Sequence, residues 1–149
     1  MEDISAENHQ VTSIIDFETG DIVFAIDTSG SMSNEEIQAA LTEVQYIAQE
    51  VKPRQLVIIQ CDASVQRVDK YDVNDELPAK FRIEGRGGTR FTPVFDEVEQ
   101  DPDIEPDCLI YVTDMYGDFP KHVDYPVLWA STTENMVAPI GETLYLDVN

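Results

Sequence analysis

The chain has 149 residues, enough for one domain around a single core. Its 30 acidic and 9 basic residues give a net charge of −21, which argues against nucleic acid and anionic membranes as direct partners, since both need basic patches. No apolar run reaches the roughly 20 residues that span a bilayer, and the first ten residues are polar and acidic, unlike a signal peptide; the expected location is cytoplasmic.

Residues 1–10 are expected to be a flexible N-terminus, and residues 11–149 a single domain. Val11 to Phe17, with Ile14 and Ile15, suits an edge strand or a strand extension. Glu18 to Asp21 reads as a turn. Ile22 to Ile26 is almost continuously apolar, as in a parallel strand buried on both faces. Asp27-Thr28-Ser29-Gly30-Ser31 follows, and then a helix from about Asn34 to Val51. Ser33 and Glu36 have the spacing of a capping box. Ile37, Leu41, Val44, Ala48 and Val51 recur at helical spacing, and Pro53 ends the helix.

Gln55 to Cys61 contains a second buried strand. Asp62-Ala63-Ser64 turns the chain into a half-buried strand over Val65 to Val68, which completes an antiparallel hairpin at a sheet edge. Phe81 to Ile83 suits a short strand or an irregular segment. Gly85 to Pro93 is glycine-rich, and Thr92-Pro93 reads as an N-cap and first helical position for a helix to about Gln100. Cys108 to Thr113 and Val127 to Ala130 read as buried strands, and Thr143 to Val148 as a closing edge strand. Met115 to Tyr125 between them reads as loop. Apolar strands alternating with helices or loops predict an α/β domain with a mainly parallel sheet, a Rossmann-like three-layer sandwich. Cys61 and Cys108 are expected as buried small hydrophobes, and without a CxxC or a Cys/His cluster no structural zinc site is expected.

Three loops after strand-like segments carry the candidate chemistry. One holds Asp27, Ser29 and Ser31, the second Thr89 behind two glycines, and the third Asp114. Carboxylate and hydroxyl oxygens are hard donors that suit Mg2+ or Mn2+. Loops at the carboxyl ends of strands are where open α/β sheets bind ligands. Thr92 competes with Thr89 but reads better as a cap. Asp118 competes with Asp114 but lies farther from its strand, and Asp62, also at a strand end, reads as a turn former, with a place on the site rim as the alternative. His9 and His122 read as surface residues, and Trp129 as core. Met115, Tyr116 and Phe119 are candidates for an apolar rim around the site.

This DxSxS, Thr, Asp order resembles the von Willebrand factor A (VWA) domain and its metal-ion-dependent adhesion site, over nearly the whole chain from Ile22. Gly87 to Phe91, Thr113 to Asp118, Val127 to Trp129 and Ile140 to Glu142 resemble a bacterial and phage subfamily of VWA-like domains, often found after a metallopeptidase-like region and encoded near ring-forming ATPases. No HExxH motif of that region occurs here. The resemblance implies that Ser29 and Ser31 ligate the metal directly. Thr89 would ligate directly or through water, and Asp27 and Asp114 mostly through metal-bound waters. The under-neutralised ion would then take an Asp or Glu carboxylate from a protein partner, within a non-enzymatic binding module that serves as adaptor to a ring ATPase or in complex assembly. Arg86 and Arg90 flank Thr89 and, with Met115 and Tyr116, form the expected partner-binding rim. The chain is compact for the family, and its acidity is a handicap in capturing an acidic ligand. Two alternatives are a haloacid dehalogenase-like phosphotransferase, which would need a second acid where Ser29 stands, and a scaffold without metal.

Overall fold

Seven consecutive residues, Asp21–Asp27, form a strand buried on both faces (β1) in a computed structural model of the protein, which describes residues 20–72, 74–78 and 80–147. The remaining strands are β2 (Gln55–Cys61), β3 (Val65–Asp72), β4 (Pro106–Thr113), β5 (Val127–Ser131) and β6 (Glu142–Tyr145). They make one sheet in the order β3-β2-β1-β4-β5-β6. All neighbours are parallel except β3, which runs antiparallel to β2 at the edge.

Alternation along the central strands divides the core in two. Ile22, Phe24 and Ile26 pack with Ile37, Leu41, Val44 and Ile47 of helix α1 (Asn34–Val51). On the other face Val23 and Ala25 pack with Val94, Phe95 and Val98 of helix α2 (Thr92–Gln100), together with Trp129. Each fully buried side chain of this kind contributes about 1.5–3 kcal/mol. Helix, sheet and helix form the expected three layers.

Local chemistry sets the ends of α1. The Ser33 hydroxyl accepts from the Glu36 amide, and the Glu36 carboxylate accepts from the Ser33 amide, closing the capping box. Lys52 takes a left-handed conformation after the last turn, and Pro53 follows. In α2 the expected cap fails. Thr92 is already the first helical residue, Phe91 occupies the cap position, and no local side chain caps the helix.

β3 extends to Asp72, beyond the expected Val68, because ladder bonds to β2 continue where the apolar alternation fades. β4 begins two residues early, at Pro106, and β6 ends at Tyr145 rather than Val148. Phe81 to Ile83 is irregular. The expectations for residues 1–10 and for Val11 to Phe17 lie outside the described residues. Cys61 and Cys108 are both free and buried.

The chain steps outward from β1 to β2 and β3, then returns to β4 on the other side of β1 and continues to β5 and β6. The switch point therefore lies between the carboxyl ends of β1 and β4, where such sheets open a crevice for ligands.

Candidate metal centre

Asp27 closes β1 at that crevice, with its side chain fully buried. The Ser29 amide donates to its Oδ1 (2.9 Å), and the Thr113 hydroxyl at the end of β4 donates to its Oδ2 (2.6 Å). The first bond is an Asx-turn that aims the following loop. The second ties the two central strands together at the switch point. Burial pushes the Asp27 carboxyl above its ordinary value, and the charge of Asp114 adds to the rise, against the opposing hydrogen bonds from Ser29 and Thr113. A bound cation would favour the ionised form.

The Asx-turn brings the hydroxyls of Ser29 and Ser31 within 3.1 Å of each other. Neighbouring ligands of an octahedral Mg2+, each 2.0–2.1 Å from the ion, stand about 2.9 Å apart. The serine pair therefore has the spacing of one octahedral edge. Ser29 is buried and Ser31 exposed, so the pair opens to solvent. Among the described residues no three of His, Cys, Asp and Glu converge, as a zinc or calcium cage would require. Hydroxyls backed by two carboxylates instead make a donor set that fits a small, hard cation.

The Thr89 loop is fastened to this turn by its backbone. Gly30 N donates to Gly87 O (2.8 Å), Arg86 N to Thr28 O (2.7 Å), and the Arg86 guanidinium to Ser29 O (3.3 Å). From the end of β2, Asp62 holds the other side. Its carboxylate accepts from Gly87 N (2.9 Å), Ser64 N (3.2 Å) and Gln66 Nε2 (3.0 Å), and its carbonyl accepts from Arg90 N (3.0 Å). Burial raises the Asp62 carboxyl, but the bonds from Ser64, Gly87 and Gln66 together outweigh it and hold the pKa below the ordinary value. The loop fits this cleft only with glycines. Gly85 has φ +125°, and a Cβ there would lie 2.4 Å from Thr28 Oγ1; a Cβ on Gly87 would lie 2.8 Å from Asp62 Oδ2. Thr89 is half-buried beyond this clasp, with no hydrogen bond to the serine pair among the described residues.

Asp114 follows β4, and its Oδ1 accepts from Tyr116 N at 3.3 Å. The next residue corrects the expected rim. Met115 has φ +78° and is only 2% exposed, because the left-handed turn folds its side chain into the core of the α2 face. Its amide donates to the Thr113 hydroxyl (3.0 Å). Phe119 is half-buried against Phe91 and Trp129. Tyr116 is 61% exposed, and Arg86 and Arg90 are exposed, so these three can meet a partner. Two strained non-glycine residues, Arg86 (φ +82°) and Met115, thus bracket the site, a placement often associated with function.

The competing residues have structural work. The Asp118 carboxylate accepts from Phe91 N (3.0 Å) and the Thr92 hydroxyl (3.2 Å), so it caps α2 from a distant loop. Trp129 is core, and its indole N–H donates to Ile140 O. His122 is exposed and pairs with Asp124. Two contributions are not legible in the sequence, the clasp made by Asp62 and the bond from Thr113 to Asp27. The one available signal for Thr113 was a polar residue closing an apolar strand directly before Asp114.

The chain matches a family model described as VWA-like domain (DUF2201) over residues 22–147. No curated protein and no solved structure matches it.

Proposed function

The chain belongs to the VWA-like domain family, a membership that supports a protein-interaction module, and from that premise we propose that it binds its partner through a metal ion. Ser29 and Ser31 would hold Mg2+ or Mn2+ through their hydroxyls, with Thr89 on the facing loop. Asp27 and Asp114 would orient the serines and accept bonds from metal-bound water. The ion supplies a positive charge that its neutral ligands do not cancel, so an open position favours an anionic oxygen. A partner's Asp or Glu carboxylate is the ligand this chemistry selects. Arg86, whose guanidinium lies against Ser29 O, and Arg90 add positive charge in an otherwise acidic protein. A ring-forming ATPase, for which the chain would serve as adaptor, or another assembling complex is the kind of partner we infer, and no catalytic step is assigned.

The observation that carries this reading is the 3.1 Å serine pair on a turn fixed by buried Asp27. The test is partner capture in magnesium against chelator. Wild type is expected to release its partner in chelator, and Asp27→Ala to capture none in either condition while keeping the wild-type circular dichroism spectrum. Capture that persists unchanged in chelator would overturn the proposal.

A further inference from the structure

On the α2 face, away from the metal centre, a groove of about 430 Å³ runs between α2, the connector from Asp101 to Pro106, and the loop from Pro120 to Tyr125. Its floor is apolar, with Phe95, Val98 and Ile104 below and half-buried Val123 and Tyr125 along one wall. Its rim is acidic. Asp96 and Glu99 project from α2 and Asp124 from the opposite loop, all three exposed, and no lysine or arginine lines the groove among the described residues. Asp101, at one end, is already paired with Lys70 (2.6 Å), and Asp124 with exposed His122 (2.6 Å). Asp96 and Glu99 appear in no ion pair among the described residues. The field inside is negative enough to act on Tyr125. Burial pushes its hydroxyl up to about 12, and the charges of Glu99 and Asp124 add to the rise.

A groove of this size accepts one or two large side chains. Its electrostatics select their chemistry, because an apolar floor under an acidic rim suits a side chain with an alkyl stem and a cationic head. A second copy of this chain fits poorly, since it brings the same net charge of −21. We propose that the groove docks a basic segment of a protein partner, an arginine or lysine beside an aliphatic anchor. The stem lies over Phe95, Val123 and Tyr125, and the cation between Glu99 and Asp124. The metal centre shares no residue with this groove, so the two surfaces can be tested separately.

The test is fluorescence anisotropy with a labelled peptide of alternating arginine and leucine, and with its counterpart carrying glutamate for arginine. The arginine peptide is expected to bind saturably and the glutamate peptide not to bind. Glu99→Lys with Asp124→Lys should weaken binding by about ten-fold or more, whereas Glu35→Lys with Glu50→Lys, the same charge change on α1 across the sheet, should stay within about two-fold. Val123→Asp should weaken binding of leucine-containing peptide more than that of an arginine–glycine control. Equal loss in both double variants would reduce the effect to overall charge and overturn the proposal. So would absence of saturable binding, equal binding of the glutamate peptide, or a dimer in sedimentation that the groove variant dissociates.

Discussion

Asp62→Ala removes the side-chain acceptor that helps join the end of β2 to the Thr89 loop, leaving the bond from Arg90 N to the Asp62 carbonyl, and three bonds set its cost. Gly87 N, Ser64 N and Gln66 Nε2 lose bonds of 2.9, 3.2 and 3.0 Å to a buried carboxylate. An amide left unsatisfied costs about 1–3 kcal/mol, and bonds to a charged acceptor are worth more than neutral ones. All three donors belong to exposed residues, so water partly replaces the lost bonds and the net loss should be about 1–2 kcal/mol, or about 3–6 °C in Tm for a domain of this size. Asp62→Asn should not rescue it, because one carboxylate oxygen becomes a donor facing an N–H. The pH dependence follows from linkage. The folded pKa lies below the ordinary value of 3.8, so this stabilisation is present above 3.8 and is lost as pH falls through the folded value. Urea titrations should therefore show a gap between wild type and Asp62→Ala that is constant near neutrality and narrows below about pH 4. Because Gly87 anchors the Thr89 loop to Gly30, the variant should also bind Mg2+ about 10–100-fold more weakly. Wild-type melting together with wild-type metal affinity would refute the clasp.

Met115→Ala should cost about 2–5 kcal/mol in urea unfolding, as for a core methionine, whereas an exposed rim residue would stay within about 0.5 kcal/mol. Asp27→Asn tests the raised carboxyl. Without metal, wild type should lose stability as pH rises from 3.8 through the higher folded value, and the variant should lack that loss; parallel pH–stability curves would count against it. Near neutrality Asp27→Asn should thus be at least as stable as metal-free wild type, yet fail to gain stability from added Mg2+. Arg86→Glu with Arg90→Glu should weaken binding of the magnesium-loaded protein to a glutamate-bearing peptide by about ten-fold without abolishing Mg2+ binding; equal peptide affinity would remove both residues from the rim.

The central strands were legible because Ile22 to Ile26 and Leu56 to Ile59 are apolar on both faces, and only a sheet covered on both sides buries them completely. α1 was legible to the residue because its start and stop signals are local, Ser33 with Glu36 and then Pro53. α2 was legible in span but not in its cap, since Asp118 reaches it from 27 residues away. The same limit hid Asp62, whose partner Gly87 is 25 residues distant. Its turn-forming role was readable from Asp62-Ala63-Ser64, but its clasp was not. Met115 was misplaced because loop position suggests exposure, whereas its left-handed backbone turns the side chain inward. The second half of β3 was missed because Asp69 to Asp72 pair with β2 through backbone bonds, for which side-chain pattern carries little signal at an edge. The DxSxS turn was readable because its geometry depends on residues two apart.

Calorimetric titration of Mg2+ into wild type and into Ser29→Ala with Ser31→Ala tests the metal centre most directly. One saturable site is expected in wild type and none in the double variant, with unchanged unfolding of the metal-free proteins. Equal binding by both would assign the ion to the acidic surface, and no saturable binding by wild type at millimolar Mg2+ or Mn2+ would contradict a metal centre built on the serine pair.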